Sequence, residues 1–335
     1  MEKNWTTRQL TKIFRTERWK IQRAEEKGLI PKGKKLNKSN TKYWGTQDVS
    51  QVGVWLSEFK EKEGETPIIS YFFQKGGIYK SSLSGNTARL LALSFHQSKG
   101  KGKILCIGTD VQASLTDFLN KELEDIESLE ELKEYPGLYE AYMEQQEQGK
   151  VDIKKYIQVS DLPNLHFIPE NSRIPLLEGP LRGKPGSEKW LKKILEPIKD
   201  EYAAIIIDCA PNFGLVTVGA LYASSTLVCP LGLDIEAYRS TVSNMTLIND
   251  FLKDTEKEYK SIICVPTMKE NSRLSASIEA HYRQLYPGEV TVNSIRRAVK
   301  AQEARTKQIS IFEEAPGTPV SDDYYEVIKE IWEKA

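Results

Sequence analysis

From residue 68 onward the chain alternates short apolar runs with stretches of helical periodicity. The runs are IISYFF, KILCIG, LHFIP, AAIIIDC, STLVCPL, SIICVP and EVTVNSI, each bounded by polar residues. Helix-like segments lie between them, among them 82–96, 188–198, 235–252 and 274–286. Continuous apolar strands interleaved with helices predict a mostly parallel sheet covered on both faces, an α/β fold. The acidic stretch 120–150 is helical in composition and is expected to be a solvated insertion.

The first sixty residues follow another pattern. Thr6 or Thr7 can cap a helix running through Leu10 and Phe14. A tight turn near Arg15 and Thr16 leads to a second helix over 17–27, whose apolar side is Trp19 or Ile21 with Ala24. Gly28 ends it in the left-handed conformation and Pro31 blocks continuation. Four of the six tryptophans (5, 19, 44 and 55) fall here, enough for a small core. The stretch KEKEGETP is charged and poor in apolar residues and reads as a linker. The expected organisation is a small α-helical domain over 1–60, a linker over 61–66 and an α/β domain over 67–335.

Charge changes the picture of the head. The chain is neutral overall, but residues 1–62 carry a net charge of +8 and the remainder −8. A basic head fits an attached nucleic-acid module, while a solvated basic face accounts for the same charges. Two short helices across a tight turn, the second bearing Arg18, Lys20, Gln22 and Arg23, have the form of a helix-turn-helix. The four cysteines sit in apolar runs with no C-x-x-C pair, so buried reduced thiols are expected. No run approaches membrane-spanning length, and a cytoplasmic protein is expected.

Polar residues cluster where the predicted strands end, the edge at which such sheets bind ligands. YFFQKGGIYKSS leaves the first strand and matches G-x-x-x-x-G-K-[ST] only at Lys80 and Ser81, with Gln74 and Tyr79 in the glycine positions. ILCIGTDVQ delivers Asp110, IIIDCAP delivers Asp208, and SIICVPTMKEN delivers Thr267 and Asn271. A phosphate-holding lysine, a magnesium-binding hydroxyl and two carboxylates at neighbouring strand ends compose a nucleotide site.

In order, these segments resemble the ParA family of deviant-Walker ATPases, whose loop reads K-G-G-V-G-K-[ST]-[ST]. The corresponding residues are Lys75, Gly76, Gly77, Ile78, Tyr79, Lys80, Ser81 and Ser82. The family's D-x-D-P-Q matches Gly108-Thr109-Asp110-Val111-Gln112, with glycine replacing the first aspartate. Its I-I-D-x-x-P matches Ile206 to Pro211, with Gly214-Leu215 following. The resemblance covers nearly all of 67–335 and implies a P-loop NTPase domain that binds ATP/ADP with Mg²⁺. It implies that Lys80 neutralises phosphate, Ser81 and Asp208 hold magnesium, and Asp110 positions the attacking water. Lys75 would cross to the partner's nucleotide in a sandwich homodimer. It further implies nonspecific DNA binding by the ATP dimer, slow hydrolysis stimulated by a ParB-like partner, and association with the nucleoid. Arg296, Arg297 and Arg305, with Lys300 and Lys307, are candidates for that DNA contact, and a solvated helix face accounts for them equally well.

The head resembles the winged helix-turn-helix of MerR-type regulators. Gly28-Leu29-Ile30, Lys42-Tyr43-Trp44 and Asp48-Val49 fall in that family's order. Gln22 stands where those regulators carry arginine, so no operator preference carries over. A three-helix interaction module is the competing reading. Tyr79 and Gly108 also leave open a DNA-binding regulator with a decayed ATPase body. A MinD-like membrane cycle is disfavoured by the acidic tail SDDYYEVIKEIWEKA, and a cluster-bridging reductase by the placement of the cysteines within or at the ends of strands.

Overall fold

The computed structural model describes residues 3–35, 41–112, 114–119, 135–307 and 309–335. The head opens with β1 (Asn4–Thr6), α1 (Thr7–Ile13) and α2 (Arg18–Glu26), then β2 (Lys34–Lys35), β3 (Lys42–Gly45) and α3 (Val49–Leu56). Thr6 caps α1 reciprocally: its hydroxyl accepts from the Gln9 amide, and the Gln9 side chain accepts from the Thr6 amide at 2.9 Å. Gly28 adopts φ +67°, which ends α2 as its sequence position predicts. The three short strands form an antiparallel sheet in the order β1-β3-β2. Ile21 and Ala24 face inward, whereas Trp19 is 50% exposed, so the apolar side of α2 is Ile21 with Ala24. Trp5 and Trp44 are buried; Trp55, like Trp19, lies outside that core.

The body runs β4 (Ile68–Tyr71), α4 (Lys80–Ser94), β5 (Ile104–Gly108), α5 (Ser114–Leu119), α6 (Leu138–Gln148), β6 (Gln158–Val159), β7 (Leu165–Ile168), α7 (Glu178–Leu181), α8 (Trp190–Leu195) and β8 (Ala204–Asp208). It continues through α9 (Leu215–Ala223), β9 (Thr226–Gly232), α10 (Ile235–Thr255), β10 (Ser261–Thr267), α11 (Arg273–Leu285), α12 (Val299–Thr306), α13 (Ile311–Glu314) and α14 (Pro319–Lys334). Seven strands form one sheet in the order β10-β9-β4-β8-β5-β7-β6, parallel except for the edge strand β6. Six of the seven apolar runs became its parallel strands. The seventh, EVTVNSI, did not: Val290 and Arg296 make isolated bridges to Cys264 and Lys269, and Val292 between them is 78% exposed. Of the acidic stretch, 120–134 lies outside the described residues. Residues 138–148 form α6, whose Leu138, Ala141 and Tyr142 are buried, so this part belongs to the core and is not a solvated insertion. All four cysteines are free and buried.

Head and body share one hydrophobic cluster. It joins Trp5, Leu10, Phe14, Val52 and Phe59 to Leu90 and Leu93 of α4, to Phe95 just past its end, and to Tyr325, Ile328 and Trp332 of α14. At Gly53 a Cβ would fall 1.7 Å from the Leu93 carbonyl oxygen, so only glycine permits α3 and α4 to lie this close. Polar contacts follow the same seam. The Arg15 guanidinium stacks over Tyr325 at 4.1 Å and donates to Asp322 and Glu326. Lys3 pairs with Glu313, which also receives Arg89, a fully buried side chain bonded bidentately to Asp161. Residues 61–66 contain neither helix nor strand. Glu61 accepts from the Lys101 and Gly102 amides, and the Thr66 hydroxyl donates to the Tyr202 carbonyl.

Candidate nucleotide-binding site

The loop between β4 and α4 is built by backbone chemistry. Its start is tied to α10, where Asn244 Oδ1 accepts from the Gln74 amide at 2.7 Å. Gly77 and Tyr79 both adopt the left-handed conformation, φ +77° and +68°. This is the conformation in which a bulky residue at the second glycine position carries strain, of order 1–3 kcal/mol. The Tyr79 ring packs against the core cluster, and its hydroxyl is buried without a hydrogen-bonding partner. Burial raises its pKa, while Arg297 and Arg305 pull the other way. Ile78 is buried beneath the loop; Thr267 Oγ1 donates to its carbonyl at 3.3 Å and to that of Leu231. Thr267 therefore supports the loop from behind and does not line the pocket.

Gly76, Gly77, Tyr79, Lys80, Ser81 and Ser82 line a pocket of about 270 Å³ with Asp110, Gln112, Pro211 and Arg305. The Lys80 ammonium, largely buried, donates to the Lys75 carbonyl at 3.1 Å. Burial lowers its pKa, and the carboxylates of Asp208 and Asp110 draw it back up. Asp208 ends β8 beside Gly108 of β5 and Tyr71 of β4. It is fully buried, and neither carboxylate oxygen has a hydrogen-bonding partner. Burial pushes its pKa up to about 6 against the pull of the nearby Ser81 hydroxyl and Lys80 ammonium. An unpartnered buried carboxylate beside a serine hydroxyl is a donor set suited to a hydrated magnesium ion. Lys75 lies apart from the pocket lining, paired with Asp234 at 3.3 Å and Glu236 at 3.5 Å in its own chain.

The basic residues of the sequence divide differently from their order. Arg18, Gln22 and Lys42 line a groove of about 490 Å³ on the head, joined by Arg8, Thr7 and Thr11. Lys42 is engaged there by the buried Glu25 at 2.5 Å. Lys20 and Arg23 turn instead to a second groove with Trp19, Leu29 and Trp55. Tyr43 sits in β3, paired with Thr6 on one side and Lys34 on the other. Arg296 is bonded bidentately to Asp323, and Arg297 is paired with Glu270. Lys300 and Lys307 pair with Glu303 and Glu314. Arg305 opens onto the nucleotide pocket, a placement its position in a basic run did not suggest.

A parallel sheet whose first body strand feeds a glycine-containing loop, with the lysine and serine at the start of the following helix and an aspartate at the end of the adjacent strand, defines a P-loop NTPase. The AAA domain family matches residues 66–267, more than half of the chain. The chain belongs to this family, within which its relatives are ParA-type partition and positioning ATPases. It is 25% identical over 314 residues to the cell division protein PomZ of Myxococcus xanthus, covering 92% of this chain and 90% of that one. Its fold is similar to that of a plasmid partition protein from Borrelia burgdorferi B31 bound to AMPPNP, with 20% identity, TM-score 0.63, and coverage of 81% of this chain and 100% of that one. A structure described as a partition protein matches at TM-score 0.68 and 16% identity, covering 99% of this chain and 92% of the other.

Proposed function

We propose that the chain is an ATP-driven partition switch, binding ATP with Mg²⁺ as a sandwich homodimer and hydrolysing it slowly. The observation that carries this reading is the convergence on one pocket of Lys80, Ser81 and Asp110, with the unpartnered Asp208 carboxylate behind them. Lys80 would neutralise phosphate charge, and backbone amides of 76–82 would cradle it. Ser81 and, through water, Asp208 would hold magnesium, which supplies charge neutralisation at the phosphates. Asp110 would orient the attacking water. Lys75 is held in its own chain by two acids, and dimerisation would exchange those partners for the second subunit's nucleotide. In this cycle the ATP dimer binds DNA without sequence preference, and a ParB-like adaptor stimulates hydrolysis and release. A cytoplasmic, nucleoid-associated protein follows. No described helix is long and apolar enough to cross a membrane.

The head is read as a winged helix-turn-helix, with α1 and α2 as the helix pair and β2–β3 as the wing. Arg8, Arg18 and Gln22 are its foremost DNA contacts, because they share one groove beside the wing. Lys20 and Arg23 would reach only flanking phosphates. Arg296 and Arg297, already paired with acids, are weaker candidates for the nonspecific contact than the head.

ATP binding and turnover by the purified protein, with and without DNA, beside Lys80→Ala, test the reading. Saturable binding and slow turnover, both lost in the variant, are expected. A second reading, a DNA-bound regulator with a decayed ATPase, draws on the strained Tyr79 and on the absent first aspartate at Gly108. Failure of the native chain to bind ATP would establish it over the first.

A further inference from the structure

Gly108 breaks the D-x-D pattern, and the space beside it explains why. A Cβ built on Gly108 would lie 2.1 Å from both the carboxyl carbon and Oε1 of Glu170, so no side chain fits at 108 while Glu170 holds its place. Glu170 follows β7, which pairs with β5 directly beside it. Its carboxylate is buried and faces the loop after β5. Oε1 accepts from the Asp110 amide at 3.3 Å, and Oε2 accepts from the Leu115 and Thr116 amides at 3.0 and 2.9 Å. The Glu170 amide donates in turn to the Thr116 hydroxyl at 2.7 Å. One side chain thus fixes both ends of the segment that presents Asp110 to the pocket.

We propose that Glu170 is a positioning residue for Asp110, supplying from the end of β7 the carboxyl group that position 108 lacks. The two sites are a matched exchange. An aspartate's carboxyl carbon lies about 1.5 Å from its Cβ, so an aspartate at 108 would bring its carboxylate into the volume that Glu170 now fills. Either carboxylate can occupy that volume, and both together cannot. Glu170 touches no reacting atom. It acts by holding the Asp110 loop, and this inference rests on the reading of Asp110 as the water-orienting group.

The exchange is testable with Glu170→Ala, Gly108→Asp and the double variant. Each single change is expected to lower kcat for ATP by about tenfold to a hundredfold, the range for small misplacements of a catalytic group. Affinity for a fluorescent ATP analogue should stay within about threefold, a small energetic change. The double variant should regain kcat to within about threefold of the native chain by restoring one carboxylate to the shared volume. A folded double variant no better than Glu170→Ala would overturn the proposal, as would unchanged turnover in Glu170→Ala. Hydrogen exchange at the Leu115 and Thr116 amides separates this result from failure of the underlying reading. Should Asp110→Asn leave turnover intact, or should the native chain not hydrolyse ATP, the catalytic reading falls. The anchor is then decided by those amides: protection lost in Glu170→Ala and regained in the double variant supports it, and unchanged protection overturns it.

Discussion

Replacing Tyr79 with glycine tests whether the nucleotide loop is formed before the nucleotide arrives. A bulky residue in the left-handed region costs of order 1–3 kcal/mol. If that strain arose on binding, it would weaken ATP affinity by about fivefold to 150-fold, at about 1.4 kcal/mol per tenfold. Tyr79 adopts φ +68° and ψ 21°, and its ring is held by the core cluster, so the strain belongs to the fold and is carried by the free and bound states alike. Strain common to the free and bound states cancels from the binding equilibrium, because a ligand responds only to differences between states. Tyr79→Gly should therefore leave the dissociation constant of an ATP analogue within about threefold. Its stability effect is a sum of opposing terms. Relief of strain gains about 1–3 kcal/mol, and removal of the unpartnered buried hydroxyl gains a similar amount, about 1–3 kcal/mol. Loss of the half-buried ring costs about 1–2 kcal/mol, and glycine's freedom in the unfolded chain costs a further 0.4–1 kcal/mol or about that. A net gain of about 1–2 kcal/mol in urea unfolding is expected. Tyr79→Phe isolates the hydroxyl and should stabilise by about 1 kcal/mol. Tenfold or greater tightening in Tyr79→Gly would refute the preformed loop, and destabilisation in Tyr79→Phe would show that the hydroxyl has a partner.

Three further outcomes follow from the packing. Arg89→Met removes the cation shared by the buried Glu313 and the half-buried Asp161 and should cost about 3–5 kcal/mol in urea unfolding, since Glu313 is left with Lys3 and the Ser310 amide and hydroxyl. Gly53→Ala drives a Cβ into the Leu93 carbonyl, and overpacking of this kind costs about 3 kcal/mol; limited proteolysis should then cut within 57–66 more readily than in the native chain. Burial and the neighbouring Asp208 push the Glu170 pKa up from 4.5 to about 8. Between those values the folded chain holds a proton that the unfolded chain has released, so stability falls as pH rises. Glu170→Gln should flatten this part of the profile in unfolding measured from pH 5 to 8, and an unchanged slope would show that the carboxyl is not buried as described.

What the sequence made legible was what local pattern controls. Continuous apolar runs such as AAIIIDC and KILCIG are recognisable because a strand covered on both faces has no polar side to interrupt it. Caps at Thr6 and Gly28 are short-range chemistry and were equally readable. EVTVNSI carries a strand's composition, yet it bows away from the sheet edge between Thr291 and Ile295, whose amides both donate to β10, a choice made by neighbours that no single run reveals. The loop, Asp110 and Asp208 were found from spacing at strand ends. Glu170 was not, although it directly follows the run LHFIP. Its meaning depends on β5 and β7 being adjacent, and the available signal was the missing carboxylate at 108. The seam between head and body was invisible for the same reason: Gly53 reads as an ordinary helix glycine until α4 is placed against it.

If the head binds DNA as proposed, that seam governs what it can search. A module on a slack tether samples a sphere of DNA around its anchor, and its target sites need keep no fixed distance. Here α3 is seated on α4, and Arg15 is clamped onto α14, so the groove of Arg18 and Gln22 points wherever the ATPase core points. In a homodimer the two grooves would then stand at a single separation set by the subunit interface. DNA carrying two binding elements would be measured against that gauge, and spacing between elements, more than their sequence, would select the protein that assembles there.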